Sequence, residues 1–118
     1  MAGVVLIPWY ATGFRGDAFE SDLNEIAAIS TRYGATSYAV YRARDDRYKF
    51  QHFSTWETHL EWERYWEGPD VTFFRATHSG WYQVPVLYAW WDLTTSGSIE
   101  SVEPAVEVPG SAANGDSA

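Results

Sequence analysis

The chain of 118 residues contains no cysteine. Disulfides, zinc–thiolate centres and thiol nucleophiles are excluded with it, and a reducing cytoplasm is the compartment that this fits. Basic residues are scarce: eight Lys and Arg stand against sixteen Asp and Glu, for a formal net charge of -8. The eight are scattered, whereas a phosphate backbone selects clustered Lys and Arg, so nucleic acid is not an expected partner. No long hydrophobic run is present either. Residues 4–9 are apolar, but they are too short for a membrane span and lack a basic flank, so neither a signal peptide nor an anchor is expected. Gly13-Phe14-Arg15-Gly16 lacks the spacing of a dinucleotide loop. No elbow motif gathers a Ser, a His and an Asp.

What the chain has in quantity is aromatic surface. Seven Trp, eight Tyr and six Phe are more than the core of one small domain needs. The surplus points to a cavity lining or a subunit interface, where large rings give much contact area at low entropic cost. The aromatics end abruptly. From Thr95 onward Ser, Gly, Ala, Pro and acidic residues dominate, and Glu100, Glu103, Glu107 and Asp116 supply half of the net charge, leaving -4 for the body. Such a segment buries too little apolar surface to offset its ordering entropy. The expected organisation is one domain at residues 1–94 and an acidic flexible tail at 95–118, with Val102, Val106 and Val108 as residues by which part of it could dock on a neighbour.

Hydrophobic periodicity orders the body. Residues 4–10 read as a strand, and Pro8 suggests an edge or a bulge. Asp17 with Glu20 forms a capping box, and Phe19, Leu23, Ile26, Ala27, Ser30 and Tyr33 then recur at helical spacing until Gly34 ends the helix. Residues 35–44 are a second strand, with Tyr38, Val40 and Arg42 on one face. Asp45-Asp46 turns the chain into a third strand, in which Tyr48, Phe50 and His52 share a face. Ser54 and Glu57 make a second capping box that predicts a helix from near Thr55. On that helix Leu60, Arg64 and Glu67 trail Trp56 along one face, Trp62, Tyr65 and Trp66 line another, and Gly68-Pro69 stops it. Residues 71–80 fit a helical turn or a packed loop. Residues 82–93 read as a long last strand, Tyr82, Val84, Val86, Tyr88 and Trp90 on one face and Pro85, Leu87, Ala89 and Trp91 on the other.

The order β-α-β-β-α-β is the ferredoxin-like α+β arrangement, an antiparallel sheet with two helices on one face. The last strand is apolar on both faces, and no element remains to cover the second. A face of this kind implies a partner, and two copies packed sheet against sheet bury it in a closed two-fold interface.

Residues 4–93 resemble the antibiotic biosynthesis monooxygenase family of dimeric α+β barrels. The phrase from Phe50 to Pro69 carries the resemblance: a strand of the form F-x-x-F, then Trp56, a polar N-cap, and an acidic helix closed by Glu67-Gly68-Pro69. The resemblance implies a homodimer with a small aromatic or polycyclic ligand held between sheet and helices, and oxidation without metal, flavin or other cofactor. Haem-degrading members of the superfamily use an Asn on the first strand, a Trp after the third and a His late in the second helix. Trp56 matches the Trp, but the first strand has no Asn, and Tyr65 and Trp66 stand where the His would be.

Tyr38, Arg42, His52, Trp56, Tyr65, Trp66, Arg75 and His78 are the residues expected to reach the cavity. A cofactor-free oxygenase must hold an electron-rich ring, help remove one proton, and stabilise the anion while it reduces dioxygen. His52 or His78 suits the proton, because an imidazole titrates near working pH. Arg42 or Arg75 suits the phenolate, by a charge-assisted hydrogen bond. Trp56 and Trp66 would clamp the rings, beside Tyr38 and Tyr65. The alternative is a non-catalytic binding or assembly module whose aromatics serve packing and dimerisation; a filled interior would favour it. Haem binding is a weaker alternative. His59 and Glu63, four apart, share a helix face, but no third ligand accompanies them, and no metal site is expected.

Overall fold

The computed structural model describes residues 2–99. Its order is β1 (Gly3–Tyr10), α1 (Gly16–Ile29), a 3-10 turn (Ser30–Tyr33), β2 (Ser37–Arg42), β3 (Lys49–Trp56), α2 (His59–Trp66), α3 (Pro69–Thr77) and β4 (Ala89–Trp91). The strands form one antiparallel sheet in the order β2-β3-β1-β4. This is the ferredoxin-like α+β topology, with three helices where two were expected. Residues 71–80, ambiguous by sequence, are mostly the third. Pro69 supplies the reason: it stops α2 and opens α3, because a ring without an N–H is tolerated in a first helical turn. The expected acidic tail begins in the described part, where residues 95–99 are exposed and irregular. Its remainder, with Val102, Val106 and Val108, lies outside the described residues.

Strict alternation sets the two faces of the sheet. In β1, Val5, Ile7 and Trp9 are buried while Val4, Leu6, Pro8 and Tyr10 are half-exposed. In β3, Phe50, His52, Ser54 and Trp56 are buried, and the register pairs them with Trp9, Ile7, Val5 and Gly3. The helices cover this inner face through Phe19, Leu23 and Ile26 of α1, Trp62, Tyr65 and Trp66 of α2, and Val71 and Phe74 of α3. Each such side chain contributes roughly 1.5–3 kcal/mol by leaving water. The rings interlock edge to face, as Trp9 does with Phe19 at 5.7 Å and Tyr82 at 4.9 Å between centroids.

Both expected capping boxes are displaced. Asp17 and Glu20 do not cap α1, whose first turn has no side-chain cap; both carboxylates bind the Arg42 guanidinium, at 2.8 and 2.7 Å. The pairing needs Gly16, since a Cβ there would run into that guanidinium. Ser54 lies inside β3, fully buried, and accepts the Trp56 indole N–H at 2.8 Å. The cap of α2 is Thr58, whose hydroxyl accepts the Glu61 N–H at 3.3 Å. The helix therefore begins at His59, and Trp56 is the last residue of the strand. Gly34 acts as anticipated: it closes the 3-10 turn at φ 117°, a conformation that costs a residue with a Cβ.

The long last strand is broken. Tyr82 bridges to Ala11, and Gln83 donates its N–H to the Tyr10 carbonyl at 2.9 Å. Residues 83–88 then leave the ladder, and pairing resumes only at Ala89. Pro85 has no N–H to offer a neighbouring strand. Pro8 likewise sits beyond the last β1–β4 pair, Leu6 with Ala89, so β1 is central along one part of its length and bare along the other.

Candidate functional site

The polar chemistry of the inner face centres on β3. His52, 1 % exposed, faces a crevice between sheet and helices lined by Ile7, Trp9, Ile26, Tyr65, Trp66, Val71 and Phe74. The crevice holds about 180 Å³ of space between atoms, too finely divided to take a water molecule. The Trp9 indole N–H donates to His52 Nδ1 at 3.3 Å. An indole nitrogen is a donor only, so Nδ1 carries the lone pair and the proton of the neutral ring sits on Nε2. That Nε2 is buried with no partner. Burial holds the His52 pKa down to about 4, so the ring is neutral at working pH. It presents one N–H to an apolar space.

Of the residues expected at the cavity, the structure brings together His52, Tyr65 and Trp66 on its wall. Tyr65 donates its hydroxyl to the Ile26 carbonyl at 2.6 Å, and burial pushes its pKa up, so it stays a phenol. Trp56 stands behind Tyr65, 5.5 Å between centroids, and does not line the crevice. Arg75 lies over Trp66, its guanidinium carbon 4.6 Å from the ring centre, and its Nε is buried without a partner. Three expected residues stand elsewhere. Tyr38 is exposed on β2. Arg42 is held by Asp17, Glu20 and the Arg47 carbonyl. His78 binds the Phe74 carbonyl through Nδ1 and Asp22 through Nε2, both at 2.7 Å. It borders a separate groove of about 270 Å³ between α1 and α3, with Asp22, Glu25 and Asp70 around an apolar floor.

Trp9, Ile7, Ile26, Val71 and Phe74 were missed by the sequence reading. Trp9 was within reach of it. The ferredoxin-like order sets β1 beside β3, and alternation puts Trp9 with Val5 and Ile7 on the inner face. Segment 82–88 also borders the site: Tyr82 packs on Trp9, and Tyr88 packs on Trp66 at 4.9 Å and Trp62 at 5.4 Å.

Haem does not fit this arrangement. Ligation needs the lone pair of a ring nitrogen facing the pocket, and His52 Nε2 bears the proton while Trp9 donates to Nδ1. His78 has both nitrogens engaged, and His59 is exposed on α2, outside the crevice. Among the described residues no three His, Asp or Glu side chains converge as a metal site, and no helix is long and apolar enough to cross a membrane.

The molecule is thus a ferredoxin-like α+β domain with an aromatic crevice beneath its helices. No family model matches the chain, and no curated protein matches it. Solved structures do. It is similar to a protein of Nitrosomonas europaea described as an antibiotic biosynthesis monooxygenase, at 16% identity and a TM-score of 0.71, over 79% of this chain and 90% of that one. It is similar to SnoaB, a cofactor-independent oxygenase from Streptomyces nogalater, at 16% identity and a TM-score of 0.70, over 80% and 95%. Rv0793 of Mycobacterium tuberculosis matches at 15% identity and a TM-score of 0.71, over 83% and 100%. The chain therefore shares its fold with these solved structures, as the strand-to-helix phrase from Phe50 to Pro69 implied.

Proposed function

We propose that the protein is a homodimer in which each protomer, residues 1–94, binds a small aromatic or polycyclic molecule in the crevice at His52 and oxidises it with dioxygen, without metal or flavin. The observation that carries this is the unpartnered His52 Nε2–H among aromatic and aliphatic walls. An unsatisfied buried donor costs about 1–3 kcal/mol, and a ligand oxygen at that point repays it. Apolar walls with one placed polar group are the usual chemistry of a small-molecule site. Residues 83–88 would have to swing off Trp62 and Trp66 to admit a ring. In the reaction, a substrate carbon flanked by aromatic rings gives up a proton and the carbanion reduces dioxygen. One oxygen atom stays as a carbonyl and the other leaves as water, so a CH2 group and O2 become C=O and H2O. His52 acts here as a hydrogen-bond donor to the developing oxyanion. It is not the base, because its only free nitrogen is protonated.

The homodimer rests on the outer face of the sheet. Ala89, Leu6, Phe53 and Ala39 are cross-strand neighbours in one apolar row spanning all four strands, and Trp91 and Tyr41 extend it, both more than half exposed. A second copy covers such a face by closed symmetry.

Oxygen uptake with a panel of polycyclic compounds that carry a CH2 group between aromatic rings, anthrone among them, compared with protein-free solution, is the test. Uptake that falls at least tenfold in His52→Ala and in Trp66→Ala, both of which line the crevice, is expected. Uptake equal to wild type in both variants overturns the site assignment. The absence of room for water in the crevice favours a second reading, an assembly module whose rings serve packing. That reading wins if no aromatic compound binds at all.

A further inference from the structure

We infer that Trp9 is a positioning residue which locks His52 as the Nε2–H tautomer, and that the crevice therefore prefers aromatic molecules that present an acceptor oxygen over those that present none. This rests on the small-molecule reading of the crevice and names its ligand class.

Trp9 and His52 lie on adjacent strands, diagonal in the register: Trp9 pairs with Phe50 and Ile7 with His52. Both are at least 98 % buried. Neither ring is free to turn away, since Trp9 is wedged among Phe19, Trp66, Phe74 and Tyr82. The indole N–H can only donate. If the imidazole proton moved to Nδ1, two N–H groups would face each other in a dry interior. The same clash opposes the doubly protonated ring. His52 is left with one chemical identity, a neutral donor aimed at the crevice. Such a donor has no use for the hydrogen of a ligand hydroxyl. It pairs with an acceptor, and in a flat, apolar, ring-lined space that acceptor is an oxygen lone pair carried in the plane of the ligand's rings. The lone pair that a hydroxyl donor or a metal would need is already taken by Trp9.

Two probes of equal ring size separate the cases: 1,4-naphthoquinone, with carbonyls, and naphthalene, without. The cysteine-free chain offers the quinone no thiol to arylate. Titrations are followed on the Trp66 indole N–H resonance. Wild type is expected to prefer the quinone about fivefold to tenfold, the worth of one net hydrogen bond. In Trp9→Phe and in His52→Phe the ratio is expected to fall towards one. Independently of any ligand, the nitrogen spectrum of the uniformly labelled wild type should show His52 protonated on Nε2 alone between pH 5 and 8. Its signals are assigned by their loss in His52→Phe, or by coupling to the ring protons should that variant not fold. A mixture of tautomers, or a proton on Nδ1, overturns the lock. Equal affinity for the two probes in wild type overturns the acceptor preference while the binding reading stands. Binding of neither probe overturns both.

Discussion

The two faces of the sheet are built from the same strands and end in opposite conditions. On the inner face Val5, Ile7, Trp9, Phe50, His52, Ser54 and Trp56 are sealed under three helices. On the outer face Val4, Leu6, Phe53 and Thr55 are their immediate chain neighbours and remain half-exposed. A period of two does this without any change of composition, since Val4 and Val5 differ only in direction. The inner face is completed by its own chain and keeps one polar defect, His52 Nε2. The outer face is apolar and left open to solvent by this chain. On the proposed reading, the inner side turns on what satisfies one atom, and the outer side on what removes an area from water.

The largest way to break the contrast is at the inner edge. Trp56 is fully buried, donates to Ser54 and packs on Trp62 and Tyr65. Trp56→Ala should cost about 3–5 kcal/mol in chemical denaturation, the range for deleting a buried ring, and leave Ser54 without its donor. A loss below about 1 kcal/mol would mean that the inner face collapses to fill gaps, and the two faces would then differ less than their burial suggests.

Next in size is the pH dependence of His52. In the native state its pKa is held at about 4 by burial, against an ordinary 6.5 in the unfolded chain. Between these values the unfolded state binds the proton and the native state does not. Stability contributed by the neutral ring is fully present above pH 6.5, declines as pH falls towards 4, and declines no further below it. The loss approaches about 3 kcal/mol. The difference between wild type and His52→Phe, measured by urea denaturation at pH 7 and at pH 4.5, isolates this from the carboxylates. A difference that does not change with pH would place His52 in contact with water.

The outer face offers a smaller effect with a different readout. Phe53→Lys puts a charge in the middle of the row Ala89, Leu6, Phe53 and Ala39. If a second copy covers this face, the variant should weaken dimerisation by about 30-fold or more, as loss of a central anchor of about 2 kcal/mol does, while the protomer stays folded. Sedimentation equilibrium reads the dimer and circular dichroism the fold. A wild type that sediments as a monomer at micromolar concentration removes the cover altogether.

Much of this frame was legible in the residues. Alternation placed Phe50 and His52 on one face, and the order of elements gave the topology without knowledge of the sheet. The caps were not legible, because Asp17, Glu20 and Ser54 had other partners available. Arg42 reached over from β2 to take the first two, and the Trp56 indole took the third. A capping box is a local pattern, and a longer-range donor outcompetes it. The site was legible in part. His52, Tyr65 and Trp66 converge as expected, but their proximity to Trp9, and so the tautomer, required the register of two strands 43 residues apart. His78 looked equivalent to His52 in sequence. What separates them is that the end of α3 carries His78 to Asp22 of α1, where both its ring nitrogens are engaged.

The smallest prediction concerns the outside of α2, where neither face of the sheet exerts its influence. His59 and Glu63 pair at 3.1 Å one helical turn apart, each about half exposed. Water competes for both partners, and holding two side chains in one geometry costs entropy, so His59→Ala should change stability by less than about 0.5 kcal/mol. His59 also meets the Trp90 ring, with 4.9 Å between centroids, so the removed imidazole takes some ring contact with it. Zinc should raise the melting temperature of neither wild type nor variant, because two ligands on one turn are half of a structural zinc site. A clear zinc-dependent rise lost in His59→Ala would mean that further ligands arrive from outside the described residues or from a second copy. The outer surface of α2 would then join the open side of the sheet as a place where this chain is completed by another.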